Sequence, residues 1–496
     1  MKAGIPPLHI KPVEGSKPQK KTKVKEKPVA KAPQTEESFD NVRALKTDPE
    51  EDLLLLLPPE FSEDALAERF TEKFHEKLSF CGPWKKWMVW DGNCWKVDDS
   101  FIAVDHARQI VREVNSELLD RTDLGEKRYR MANAIATHRT MSSIERIAKT
   151  DRRHVIVPAD FDSDPWLLNT PDGVIDLRTG SMRPPRRDDF LTKSTAVGPG
   201  GKCPLWLQYL DEATQSDEEL KGYLKRIAGY CLTGSIAEHA FFFCYGTGGN
   251  GKGIYKDMLD WMLNSYATTA NIDTFTEQRF SRHSSEIAYF QGARLVTSTE
   301  PSEGSKWAES RIKAMTGGDP ITAAHKHENE FTFLPLFKLL FTGNHKPALK
   351  AVDDAIRRRL YLIPFEHKVT AETKDIYLPE KLRQEDEARG ILEWMLEGCL
   401  EWQETMLNPP KRVLASTADY LESEDRIGQF LAETTKTGPN ERVVASLLYA
   451  KYKYWTDVEN EFCLSKKRFH ALLGQKGFHV EKRSGDQVIM GLSIMT

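Results

Sequence analysis

Apolar residues recur in several rhythms along this chain, and each rhythm predicts a different structure. Ala65, Phe70, Phe74 and Leu78 follow helical spacing, so folded structure is expected from about Phe61. Trp84, Trp87, Trp90 and Trp95 come next, around Lys85-Lys86 and an Asp91-Gly92 turn, the pattern of a hairpin. Short apolar runs with turn signals follow Trp166, and Leu220, Tyr223, Leu224, Ile227 and Tyr230 return to helical spacing. The pattern then changes. Phe241-Phe242-Phe243-Cys244-Tyr245 is continuously apolar and ends in glycines, as expected of a strand buried on both faces of a parallel sheet. Further short runs at Leu295-Val296, Leu339-Leu340-Phe341 and Leu360 to Ile363 predict a three-layer α/β domain over 238–367. Ile391 to Trp402 is helical again, and the chain ends in two amphipathic helices and a β-like segment.

Composition adds boundaries to this outline. The first residues are rich in Lys and Pro and nearly free of large apolar side chains, so residues 1–50 are expected to be a disordered basic tail. A mixed α/β module is expected over 51–200, a helical linker or collar over 201–237, a helical segment over 368–435 and a small terminal domain over 436–496. The Leu53 to Leu57 run is short and flanked by acids and prolines, and the N-terminus lacks the apolar core of a signal peptide. A soluble protein without a membrane partner is expected. Seven scattered cysteines with no CxxC pair argue against a disulfide framework or structural zinc, and suit a reducing cytoplasm, taken here as that of a bacterial host. The net charge of −4 excludes a uniformly basic coat but leaves local basic surfaces open.

The chemistry is concentrated in the middle of the chain. Gly246-Thr247-Gly248-Gly249-Asn250-Gly251-Lys252-Gly253 follows the Phe241 strand and opens a helix with Ile254, Met258 and Met262 on one face. Glycines let backbone N–H groups curl around a polyphosphate, the helix N-terminus adds its positive dipole end, and Lys252 reaches the outer phosphates. Gly253 stands where a Ser or Thr hydroxyl usually ligands Mg²⁺, which shifts that ion toward water and phosphate oxygens. Glu300, just beyond the Leu295 run, is the expected catalytic base and metal-organising carboxylate. Asn344, ending the next run, is suited to orient water or sense the outermost phosphate. Arg358 and Arg359 are candidate fingers for a neighbouring subunit's nucleotide.

The ordered set Gly246 to Gly253, Thr299-Glu300, Lys313 to Thr322, Thr342 to Pro347 and Arg358 to Phe365 resembles the superfamily 3 helicases. Within them it is similar to the phage and plasmid primase–helicases related to the poxvirus one. The resemblance implies an AAA+-type P-loop ATPase core with an N-terminal mixed α/β module, a helical collar and a C-terminal winged helix. It further implies a homo-hexamer that uses ATP and Mg²⁺ to move 3′ to 5′ on single-stranded or forked DNA during replication of a mobile element. A separate primase and an origin are the implied further partners. A pore hairpin is implied between Glu300 and Asn344, with His325, Lys326 and His327 at its tip touching DNA phosphates. In the terminal domain Lys466, Lys467, Arg468, Lys482 and Arg483 are the candidate duplex contacts.

Two other functions stay open on the sequence. One is an ATP-regulated initiator that binds an origin without processive unwinding. The other is nucleotidyl transfer, for which Asp160-Phe161-Asp162 is the one tempting acidic pair. The interleaved tryptophans and lysines of the first module are expected to fill a small β core, with base stacking as the competing role.

Overall fold

Five strands form an all-parallel sheet at the heart of the chain, in the order Leu360–Pro364, Phe241–Tyr245, Lys338–Gly343, Leu295–Thr299 and Ala267–Thr269. Both faces of this sheet are covered, which explains the unbroken apolar runs. Phe242, Cys244, Leu340 and Ile363 enter a core shared with the helices on one side. Phe241, Phe243, Leu339, Phe341 and Leu362 enter a second core with Trp307 and Ile312 on the other. Successive strand residues point to opposite faces, so a doubly covered strand has no polar position to alternate with.

The structure is a computed structural model that describes residues 58–277, 284–299, 301, 304–324, 326, 329–349, 352–370, 372, 374–459, 463–483 and 486–495. The expected tail over 1–50 lies outside them, and from Pro59 onward the chain forms one unit, Pro59–Thr496. Among the described residues no helix is long and apolar enough to cross a membrane. All seven cysteines are free, and burial pushes the Cys203 and Cys231 thiols up to about 12.

Before the sheet, strands Leu78–Cys81, Lys86–Trp90, Trp95–Val97 and Val155–Ile156 make a small mixed sheet under helices Glu63–Phe74, Ile102–Asp120 and His138–Ala148. The hairpin expected at Asp91 is present: Trp90 pairs with Trp95, and Asp91 Oδ1 accepts from the backbone N–H of Asn93 and Cys94, each at 2.8 Å. Trp87 and Trp95 are buried as expected of core residues, whereas Trp84 is not. A three-stranded meander, Leu167–Thr170, Gly173–Asp176 and Ser181–Arg183, follows and contributes Leu168, Ile175 and Leu177 to the core beneath the parallel sheet.

Helices Glu218–Leu232 and Glu385–Thr405 cross in that same core, close enough that only glycine fits at the contact. A Cβ on Gly229 would sit 2.0 Å from the Cys399 nitrogen, and one on Gly398 would sit 2.2 Å from the Lys225 carbonyl oxygen. The C-terminal part combines helices Arg426–Thr434, Ala445–Val458 and Lys466–Gln475 with an antiparallel sheet of Thr435–Val444, Asp486–Ile494 and Val480–Arg483. The two expected helices and the β-like end are all present. The long strand Thr435–Val444 has no apolar alternation to announce it, because its middle is exposed.

Candidate functional site

The Phe241 strand has neighbours on both sides, with the last strand of the sheet returning on the opposite flank from the others. Connections therefore diverge around its carboxyl end, the place where open α/β sheets form a crevice. The glycine-rich loop starts there. Helix Lys252–Leu263 follows it, with Gly251 as N-cap at φ 87° and no side-chain cap, so its first N–H groups face the crevice.

Three tethers shape the loop. Asn250 is buried and donates through Nδ2 to the Phe365 carbonyl at 2.7 Å. Val369 N–H donates to the Gly249 carbonyl at 2.8 Å. Tyr209 Oη, from helix Pro204–Thr214, donates to the Gly251 carbonyl at 3.0 Å. Behind the loop, Thr297 Oγ1 donates to Asp260 Oδ2 at 2.7 Å and Lys256 Nζ pairs with the same carboxylate at 2.8 Å, fixing the helix to the Leu295–Thr299 strand. Burial holds the Asp260 carboxyl above the ordinary range despite these partners.

Lys252 Nζ donates to Asn344 Oδ1 at 2.7 Å and to the Gly246 carbonyl at 3.1 Å. Asn344 reaches it from the end of the Lys338–Gly343 strand, so the two residues that the sequence assigned separately meet across one site. The loop borders a cavity of about 810 Å³, within the ordinary size of a small-molecule site. Thr299, Thr342 and Asp257 are among its polar lining residues, and Leu205, Tyr209, Ile376, Leu378 and Pro379 among its apolar and aromatic ones. Glycine is required at the loop's first position: a Cβ on Gly246 would lie 2.1 Å from both Asn250 Nδ2 and the Phe365 oxygen. Gly253 has open space around it. Gly246→Ala is therefore expected to weaken nucleotide binding at least about tenfold and to destabilise the fold by roughly 1–3 kcal/mol. Gly253→Ala leaves both nearly unchanged; titration with a fluorescent ATP analogue and thermal melts read the contrast.

The remaining site residues divide. Glu300, His325 and His327 lie outside the described residues. The hairpin expected around them is present as strands Ile321–Ala323 and Phe331–Phe333, paired antiparallel, with Lys326 exposed between them. Arg358 is exposed, whereas Arg359 is buried, with Nη1 donating to the Ala355 carbonyl at 2.9 Å. Lys466, Lys467 and Arg468 are exposed in the first turn of helix Lys466–Gln475. Lys482 and Arg483 are exposed on a strand, Arg483 pairing with Glu481 at 3.0 Å. Asp160 and Asp162 serve local structure: Asp160 Oδ2 accepts from Val157 N–H at 3.1 Å and Asp162 Oδ1 from Thr192 N–H at 2.9 Å. Among the described residues no cluster of three His, Cys, Asp or Glu side chains is placed to hold a metal ion. Tyr209 and the 367–379 segment carry no motif, and no sequence signal pointed to them.

Fold and site define a mixed α/β protein with a glycine-rich loop at the carboxyl edge of its parallel sheet. Residues 67–215 match the family model described as D5 N terminal like, and residues 244–359 match a family of unknown function, DUF5906. The chain resembles the D5-like viral primase–helicases of superfamily 3. It is 26% identical to the putative helicase L207/L206 of Acanthamoeba polyphaga mimivirus over 60% of this chain and 33% of that protein. It is 25% identical to the putative helicase 022R of Frog virus 3 over 49% of this chain and 27% of that protein. The chain thus spans about a third or less of the length of these relatives. The apo structure of the NrS-1 C-terminal region is similar over 87% of this chain and 99% of that one, at 12% identity and a TM-score of 0.47. The expectation of a bacterial host cell is corrected by these relatives, which come from viruses of amoebae, frogs and invertebrates. The bacterial host goes with the phage and plasmid resemblance, since free cysteines and a reducing compartment carry no information about the kind of host.

Proposed function

We propose that this chain is an ATP-dependent DNA helicase of the D5 type, acting in replication of a viral or phage-like mobile element. The observation that carries the proposal is the contact of Lys252 with Asn344 beside a glycine-rich loop, at the mouth of a cavity large enough for a nucleotide. In this assignment residues 246–253 cradle the phosphates, Lys252 neutralises the outer ones, and Asn344 passes from the lysine to the outermost phosphate or the attacking water. Glu300 is the base. Mg²⁺, where bound, supplies charge neutralisation at the phosphates and would be held by phosphate oxygens and water, with Thr299, Thr342 and Asp257 as nearby oxygens. The interior position of the loop strand, between Leu360–Pro364 and Lys338–Gly343, supports an AAA+-type core, and the helix pair with its terminal hairpin supports a winged helix. Because Arg358 is exposed and Arg359 is buried, Arg358 is the finger in a homo-hexamer, and Lys326 marks the pore hairpin.

A forked DNA with a 3′ single-stranded tail provides the test. The full chain with ATP and Mg²⁺ is expected to displace the strand, and a non-hydrolysable analogue is expected to give no displacement. Specific duplex binding without displacement on any fork would replace the helicase by the initiator.

A further inference from the structure

The four tryptophans of the first module do not share one fate. Trp87 and Trp95 are 7% and 1% exposed and fill the core, but Trp84 is 39% exposed at the tip of a separate hairpin. That hairpin joins strands Leu78–Cys81 and Lys86–Trp90, with Cys81 opposite Lys86, so Gly82 to Lys85 form a four-residue turn. Every residue from Gly82 to Lys86 is exposed. Trp84 is held all the same. Its indole stacks on buried Phe161 with ring centroids 5.2 Å apart and planes 9° from parallel, so one face is fixed against the module. The exposure that remains belongs to the opposite face and edges.

Lys85 lies beside it at φ 55°, a left-handed conformation that Asn or Gly would adopt more readily. Among the described residues neither Lys85 nor Lys86 is ion-paired. The exposed carboxylate of Asp160 is also on this side, but it accepts the Val157 N–H. A rigid aromatic plane with one free face and two unpaired cations at the same tip is the pair of features that holds single-stranded nucleic acid. The plane takes a base and the cations take flanking phosphates.

We propose that the Trp84 hairpin is a single-stranded DNA contact on the N-terminal module, with one base stacked on the outer face of Trp84 and adjoining phosphates on Lys85 and Lys86. It is separate from the nucleotide cavity and the Ile321–Phe333 hairpin; that its strand is DNA rests on the replicative function proposed above.

The test is binding of fluorescein-labelled dT20 to the full chain without ATP, followed by anisotropy across a range of salt. Trp84→Ala is expected to weaken binding about tenfold, within the range of one lost base stack, and Trp84→Phe to restore most of it. Lys85→Ala/Lys86→Ala should reduce the slope of log affinity against log salt by about one to two. An oligonucleotide with an abasic backbone should bind parent and Trp84→Ala alike, which separates stacking from a folding defect. DNA-independent ATP hydrolysis is expected to be unchanged in all three variants; its absence in the parent would count against the helicase and leave the platform standing. Equal affinity of parent and Trp84→Ala for dT20 overturns the proposal, as does an equal loss on blunt duplex DNA, where no base is available to stack.

Discussion

Lys252→Ala is expected to lower ATP turnover on the order of a hundred- to a thousandfold while leaving the fold intact. The ammonium is half-buried, and it donates to Asn344 Oδ1 and to the Gly246 carbonyl at the edge of the cavity. Both of these acceptors are neutral oxygens that an entering phosphate can displace. When phosphates enter, the lysine exchanges these bonds for charge-assisted ones, and the developing charge of phosphoryl transfer is where such a donor counts most. Alanine removes that donor without introducing any bulk. Asn344→Ala is a milder change because it removes one resting partner of the lysine and not the cation. A steady-state phosphate-release assay with and without single-stranded DNA reads the effect. Retention of full DNA-stimulated turnover by Lys252→Ala would exclude the loop as the phosphate site.

What the sequence disclosed and what it concealed follow from how each feature is encoded. The parallel strands were legible because burial on both faces leaves short unbroken apolar runs of two to five residues, and the glycine loop because the backbone's approach to Phe365 and Asn250 tolerates no Cβ at Gly246. The hairpin of Ile321–Ala323 and Phe331–Phe333 was visible as alternation around Lys326. Tyr209 was invisible: it acts through one hydroxyl on a backbone carbonyl 42 residues away, and nothing local distinguishes it from a core tyrosine. The arginine pair could not be divided from sequence either, since adjacent positions entering a strand point to opposite sides, and which side is buried depends on the strand's neighbours. Trp84 was hidden for the same reason. Its spacing from Trp87 matches a core pattern, and only the turn between Cys81 and Lys86 places it at a tip.

Buried cations at the amino edge of the parallel sheet also escaped sequence reading, and they support the second large effect. Helix Glu218–Leu232 ends against that edge, where its last carbonyls would be buried without partners. Arg294, just before one strand, donates to the Leu232 carbonyl and, at 2.6 Å, to the Leu167 carbonyl. Lys338, the first residue of another strand, donates to the Thr233 carbonyl and lies 3.3 Å from the Ser235 oxygen and 3.4 Å from the Leu336 oxygen. Its ammonium also sits 4.8 Å from the Tyr230 ring centroid. These contacts suit a helix C-terminus, whose dipole end favours cations, but the ammonium is fully buried and among the described residues pairs with no carboxylate. Burial pushes Lys338 down to about 7. Lys338→Met leaves the carbonyls unsatisfied and is expected to cost about 2 kcal/mol. Its signature lies in the pH dependence. A cation with a folded pKa below its unfolded value of about 10.4 binds fewer protons when folded throughout that window. Stability of the parent therefore gains from this group as pH rises from about 7 toward 10, and the variant lacks that gain. Urea midpoints at pH 6.5 and 9 should thus differ more between parent and variant at pH 9. A deficit equal at both values would mean that the lysine acts through packing alone and stays protonated in the core.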